Sequence, residues 1–256
     1  MMRSIDLNAD LGEGYGPWSM GDDTTMLGIV TSANIACGGH AGDPDTMFNA
    51  LSVAGQNNVV VGAHPGYADR AGFGRRIIPM SPDEMARMIA AQIGALTSIA
   101  RLAGVEVRYV KAHGALANLA ASDAAVARVL VDTVRQLDER LAILAISGTE
   151  IEHAARKASA QVFSEVFADR GYQASGQLVP RTDPGALIHD PADAADRLLG
   201  FLETGLMPVV DGAPIPLAAD SICVHGDSPG AVDMTTELRS RLLAAGVELR
   251  SFAATS

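Results

Sequence analysis

The sequence predicts an α/β fold closed as a single parallel barrel of seven strands. Three observations carry the prediction. Seven short apolar or alternating runs recur along the 256 residues, helical patterns separate most of them, and several runs carry polar residues on the face opposite the apolar one. An open doubly wound sheet would also accommodate alternating strands and helices. The polar alternation favours the barrel, whose interior gathers one face of every strand and whose site is built at the strands' carboxyl ends.

The first run is SIDLNADLGEGYG, in which Ile5, Leu7, Ala9 and Leu11 alternate with Asp6, Asn8 and Asp10. In a barrel that polar face points inward, with Asp6 deepest and Asp10 nearest the carboxyl end. Groups placed there must meet one another, a substrate or an ion. SANIACG follows and leads to His40; VVVGAH ends on His64; VRYVKAHG puts Lys111 and His113 on one face, opposite Val110 and Ala112. LAILAIS is the apolar fifth run. QVFSEVFAD carries Glu165 with Arg170 just beyond, and SICVHGD ends with His225 and Asp227 sharing a face.

Four helix starts between these runs pair a side-chain acceptor with proline: Asp43 with Pro44, Ser81 with Pro82, Asp190 with Pro191, and Ser228 with Pro229. An acceptor at the N-cap and proline at the first helical position satisfy separate needs of a helix start. Glu84 completes a capping box with Ser81. From Pro82 to Ala103 the positions Met85, Met88, Ile89, Ile93, Leu96 and Ile99 keep the period of an amphipathic helix. No linker, low-complexity tract or charge run divides the chain, so one domain is expected over residues 1–256. The stretches 171–189 and 206–221 read as loops or short extra strands, and long loops in a compact domain tend to be functional.

With 48% hydrophobic residues the chain can bury a full core. Its formal net charge of −11, from 19 basic and 30 acidic residues, argues against nucleic acid as a partner. Neither a charged leader with an apolar core nor a run of 18 apolar residues is seen, so a cytoplasmic enzyme away from the membrane is expected. Cys37 and Cys223 read as reduced thiols.

Four of the six histidines, His40, His64, His113 and His225, fall in or just after the strand-like runs. Any one alone reads as a satisfied core residue. Together with the carboxylates and Lys111 they converge as the material of acid/base and electrostatic catalysis. GEGYG and GFGRR match neither a P-loop nor a dinucleotide fingerprint. Arg70, Arg75 and Arg76 fit an anion grip and a solvated rim equally well. Cys37 reads as a small buried hydrophobe rather than a nucleophile, and His153 and His189 receive no role.

The blocks NADLGEGYG, ANIACGGHAGDP, GAHPGYADRAGFGRR, VKAHGALAN, EVFADRGY, VPRTDPGALI and CVHGDSPGA, in this order over nearly the whole chain, resemble the LamB/YcsF family of bacterial 5-oxoprolinase A subunits. Where the family pattern reads VKPHGALYN this chain has Ala112 and Ala117, and Ala68 stands where proline is expected before Asp69; Lys111, His113 and Asn118 are kept. The resemblance implies a TIM-like (β/α)7 barrel of the glycoside hydrolase/deacetylase type. It also implies an enzyme that opens 5-oxo-L-proline (pyroglutamate) to L-glutamate with ATP, accompanied by Mg2+, and with partner subunits B and C.

Such a lactam is a resonance-stabilised amide. Phosphorylating its oxygen would make the carbon an electrophile for water, with phosphate as leaving group. That route needs a base, cations for phosphoryl oxygens and a clamp for the substrate carboxylate. On this reading Asp10 is the base or water-orienting group, Lys111 the partner of phosphoryl or oxyanion oxygens, and His64 and His113 proton carriers. Asn8, Glu13, His40, Asp43, Glu165, Arg170, Arg181, His225 and Asp227 orient the substrate or the catalytic groups. No metal ligand is assigned. Two alternatives stand beside it. One is a metal-dependent amidohydrolase or deacetylase using Asp10, His64, His113 and His225, against which no short motif such as HExxH is present. The other is a non-catalytic subunit that binds a small acid. The absence of a nucleotide motif predicts that ATP chemistry is shared with other polypeptides.

Overall fold

The computed structural model describes residues 4–226 and 230–253. Its elements in order are β1 (Ser4–Leu11), α1 (Asp23–Leu27), β2 (Ser32–Ala36), α2 (Pro44–Gln56), β3 (Val60–His64), α3 (Pro82–Leu102), β4 (Val107–Val110), α4 (Gly114–Ser122), α5 (Ala124–Leu137), β5 (Ala142–Ile146), α6 (Glu150–Lys157), β6 (Val162–Phe167), α7 (Pro191–Thr204), β7 (Leu206–Met207), β8 (Ile215–Pro216), β9 (Ser221–His225), α8 (Ala231–Ala244) and β10 (Glu248–Leu249). Among the described residues seven parallel strands close on themselves in the order β1-β2-β3-β4-β5-β6-β9, with β9 pairing back to β1. These are the seven runs read from the sequence.

The helix starts follow their local chemistry. Asp43 accepts from the backbone of Asp45 and Thr46, and Asp190 from Ala192 and Asp193. Ser81 and Glu84 form the capping box, and α3 buries Met85, Ile89, Ile93 and Leu96. The Ser228–Pro229 pair and Asp227 lie outside the described residues.

Both faces of the barrel strands are covered. Leu7, Ala9 and Leu11 of β1 join helix residues such as Met26, Leu51 and Leu96 in the main core. Inside the barrel, Tyr109, Ala142 and Leu144 form a second apolar cluster with Phe163 and Phe252. The chain reaches it because β10 pairs with Ser4 and Ile5 at the start of β1. Phe252 then packs edge-on to Tyr109, ring centroids 4.9 Å apart, and tilted against Phe163 at 4.6 Å, closing the amino-terminal end. Gly62 of β3 makes room for this plug, since a Cβ there would lie 2.2 Å from the Tyr109 ring.

The 206–221 stretch contains the antiparallel β7–β8 ribbon, and 171–189 is a loop tied back by bridges between Arg170 and Leu187 and between Tyr172 and Leu178. Among the described residues no single helix is long and apolar enough to cross a membrane.

A candidate active site at the carboxyl end of the barrel

The polar face of β1 points into the barrel, and its three members meet different partners. Asp6, deepest, accepts from Thr31 Oγ1 at 2.6 Å, from Ser32 Oγ, and from the Ser221 hydroxyl. Asn8 donates to Glu165 Oε1 at 2.9 Å and Ser221 Oγ at 2.7 Å, and accepts from Asn34. Asp10 accepts from Asn34 Nδ2 and from Lys111 Nζ, both at 2.8 Å. Burial pushes Asp6 up to about 6. Burial also opposes ionisation of Asp10, but His64 and Lys111 beside it prevail and hold its carboxyl well below the usual carboxylate range.

Lys111, one residue past β4, sits between two carboxylates: Asp10 at 2.8 Å and Glu165 at 3.0 Å. Burial disfavours its charge, but Asp10, Cys223 and Glu165 outweigh burial and keep it an ammonium. Glu165 moves the other way. Burial raises its carboxyl, Asp10 adds to the rise, and Oε2 has no hydrogen-bond partner. Two carboxylates flanking one cation thus differ in proton affinity, the arrangement that separates acid from base. Cys223 Sγ lies 3.0 Å from Nζ. Both cysteines are free and buried, and burial pushes the Cys37 thiol up to about 12, which fits a structural role.

Beside Asp10 lies a histidine cluster. His64 Nε2 is 3.4 Å from Asp10 Oδ2 and 3.0 Å from His113 Nδ1. His40 stacks on His113 with ring centroids 3.5 Å apart, and its Nε2 is 2.9 Å from Glu13 Oε1. Burial, reinforced by neighbouring histidines, holds His40 and His113 well below the ordinary imidazole range, so both are neutral near pH 7.

A cavity of about 540 Å³ opens over this floor. Asp10, His64, Lys111, His113, Glu165, Arg170, Arg181 and His225 all line it, as does Arg75. Arg170 also donates to the carbonyls of Val179 and Ala186, so it braces the 171–189 loop whose residues form one wall. His225 Nδ1 lies 2.9 Å from Asp169, which orients the ring.

Asn8, Glu13 and His40 stand behind the cavity rather than on its surface. Asp43 accepts from Gly16, Asp45 and Thr46, so its carboxylate is taken up in capping α2 and fixing a loop, away from the cavity. Of the three arginines in the 70–76 loop, Arg76 pairs with Asp69 and Arg70 lies over the Tyr15 ring, leaving Arg75 at the cavity. Sequence reasoning passed over Asp169, Asn34 and Phe167. Asn34 carries the same period-two signal as β1, with Ser32 on its face.

The model of the LamB/YcsF family matches residues 5–256. The chain belongs to the LamB/YcsF family. It is 48% identical to the 5-oxoprolinase A subunit numbered 3 of Pseudomonas syringae pv. tomato over 98% of both chains, and 49% identical to the 5-oxoprolinase A subunit of Mycobacterium avium over 98% of this chain and 100% of the relative. The lactam utilization protein of Thermus thermophilus superimposes with a TM-score of 0.92 at 41% identity, over 97% of this chain and 100% of that one.

Proposed function

We propose that this chain is the A subunit of an ATP-dependent 5-oxoprolinase, opening 5-oxo-L-proline to L-glutamate in the cytoplasm together with subunits B and C. The observation that carries the reading is Lys111, held between Asp10, whose carboxyl is lowered, and Glu165, whose carboxyl is raised, at the floor of an arginine-rimmed cavity. The full-length similarity to proteins named as 5-oxoprolinase A subunits supports the choice of substrate and the need for further subunits.

The chemistry assigns work to each group. Phosphoryl transfer from ATP, carried with Mg2+, to the lactam oxygen leaves an electrophilic carbon. Asp10 takes a proton from water as it attacks, and Lys111 faces the negative oxygens. The ring nitrogen must then leave before phosphate does, or the lactam re-forms. It needs a proton, and Glu165 gives one. The resulting acyl phosphate loses phosphate to a second water, giving glutamate. His64 and His113 carry protons on the Asp10 side, and Arg75, Arg170 and Arg181 meet the substrate carboxylate or the phosphate.

Glutamate release from 5-oxoproline decides the matter, measured for the chain alone, with ATP, and with B and C subunits added. The expected result is little or no turnover alone and ATP-coupled turnover in the full set. Full turnover by the purified chain alone would refute the shared-subunit reading, and none in the complete set would refute the substrate.

A further inference from the structure

The histidine pair beside Asp10 poses a hydrogen-bonding problem. His64 Nδ1 lies 2.8 Å from the Lys111 carbonyl oxygen, and His113 Nε2 lies 2.8 Å from the Phe73 carbonyl oxygen. A carbonyl only accepts, so each of these nitrogens carries the ring hydrogen. If both imidazoles carry one hydrogen each, the other two nitrogens, His64 Nε2 and His113 Nδ1, are bare lone pairs, and they face each other at 3.0 Å. Glu13 Oε1 stands 3.4 Å from His113 Nδ1, and Asp10 Oδ2 stands 3.4 Å from His64 Nε2. Four electron-rich atoms converge in a buried place, which calls for a cation among them: a shared proton or a metal ion.

We infer that this cluster binds a divalent transition-metal ion, with His64 Nε2, His113 Nδ1 and the Glu13 carboxylate as ligands and Asp10 beside them. The spacing fits a metal. Ligand atoms about 2.0–2.1 Å from a tetrahedral ion lie about 3.3 Å apart, and the separations here are 3.0 and 3.4 Å. Glu13, His64 and His113 offer atoms within 4.8 Å of one another. Each ligand histidine gives its outer N–H to a backbone carbonyl, the support that fixes a metal-binding ring in the right tautomer. His40 is a positioning residue. Its Nε2 donates to Glu13, and its ring backs His113.

Two glycines build the cradle. A Cβ on Gly66 would come within 2.9 Å of His40 Nδ1, and one on Gly74 within 2.9 Å of the His113 ring. Two imidazoles and a carboxylate suit zinc, cobalt or iron in the divalent state rather than calcium or magnesium. This set replaces His225 of the sequence alternative, since His225 is turned to Asp169. With the ion bound, proton carrying falls to Asp10 and Glu165. The inference goes beyond the 5-oxoproline reading and survives its failure, because it uses ligand geometry alone and its test uses no substrate.

The test titrates tag-free, chelator-stripped protein with Co2+, followed by visible absorption, and with Zn2+, followed by calorimetry and melting temperature. One saturable equivalent is expected, with Zn2+ displacing Co2+ and raising the melting temperature. Glu13→Gln, which keeps the volume, and His113→Gln should each weaken binding about 100-fold or more, while His153→Gln on the exposed face of α6 leaves it unchanged. Circular dichroism establishes that the variants fold, and the wild-type titration stands whether or not they do. No saturable binding by the wild type would overturn the inference in favour of a shared proton, and so would unchanged affinity in both ligand variants.

Discussion

Lys111→Met keeps the length of the side chain and removes its charge. Lys111 Nζ lies 2.8 Å from Asp10 Oδ1 and 3.0 Å from Glu165 Oε1, in a side chain only 5% exposed. At an effective dielectric of about 20, the contact with the ionised Asp10 represents about 6 kcal/mol of gross attraction. Desolvation offsets most of that, and removing one partner of a buried pair costs about 3–5 kcal/mol. At about 2–4 °C per kcal/mol for a chain of this size, the melting temperature should fall by about 6–20 °C.

The pH dependence has a definite sign. His64 and Lys111 outweigh burial and hold Asp10 well below the ordinary range; loss of the ammonium raises it from there. The folded variant then binds the proton more tightly than the folded wild type, so the deficit is largest at neutral pH and shrinks as pH falls toward about 4. Adding Asp10→Asn removes the stranded charge, so the double variant should regain most of the stability. It should not regain activity. Urea denaturation near neutral pH and near about pH 5, beside glutamate formation in the assembled enzyme, reads both effects. Turnover should fall at least about 100-fold in either variant. Near-normal turnover in Lys111→Met would make the lysine scaffold, and a double variant no more stable than the single one would refute the charge argument.

Glu165→Gln preserves the contacts to Asn8 and Lys111 but cannot give up a proton, so kcat should fall by roughly 10²–10⁴ with substrate binding kept; steady-state kinetics and substrate affinity separate the two, and an unchanged kcat refutes the donor role. Asp6, raised from 3.8 to about 6 by burial, makes the folded state the tighter proton binder. Relative to Asp6→Asn, the wild type should therefore lose about 3 kcal/mol as pH rises from about 4 through about 6, and urea titrations showing the opposite slope or none would refute the assignment. Limited proteolysis should yield no pair of stable halves if residues 1–256 fold as one domain, and two persistent fragments would show otherwise.

What was legible in the sequence is what local chemistry encodes. The seven barrel strands and the caps at Asp43, Ser81 and Asp190 follow from period and side-chain acceptors within a few residues. The β10 segment and the Phe252 plug were not legible, because their only signal is contact with β1, Tyr109 and Phe163, far away in the chain. The site divides along the same line. Asp10, His64, Lys111, His113, Glu165 and His225 announce themselves by standing on or just past the inward face of a strand. Asp43 carried two readings, helix cap and substrate ligand, and its hydrogen bonds are those of the cap. Asp169 keeps the parity of Glu165 but stands past the end of β6, and its pairing with His225 arises only when β6 and β9 lie side by side.

The β1 ladder answers how a barrel interior can be both structural and chemical. At its deep end Asp6 meets hydroxyls of Thr31, Ser32 and Ser221, all contributed by neighbouring chain, and its acidity is set by burial. One step up, Asn8 ties Asn34 to Glu165 and passes position across the interior. At the top, Asp10 accepts from Lys111 with one oxygen and turns the other toward His64 and the cavity. The same period of two therefore places successive residues in surroundings of decreasing self-sufficiency. A side chain whose needs the fold already meets is scaffold; one whose partners are charges and lone pairs facing an open cavity is available to a ligand. By that criterion Asp10 is the first of the three open to a ligand, and Asp6 and Asn8 hold it in place.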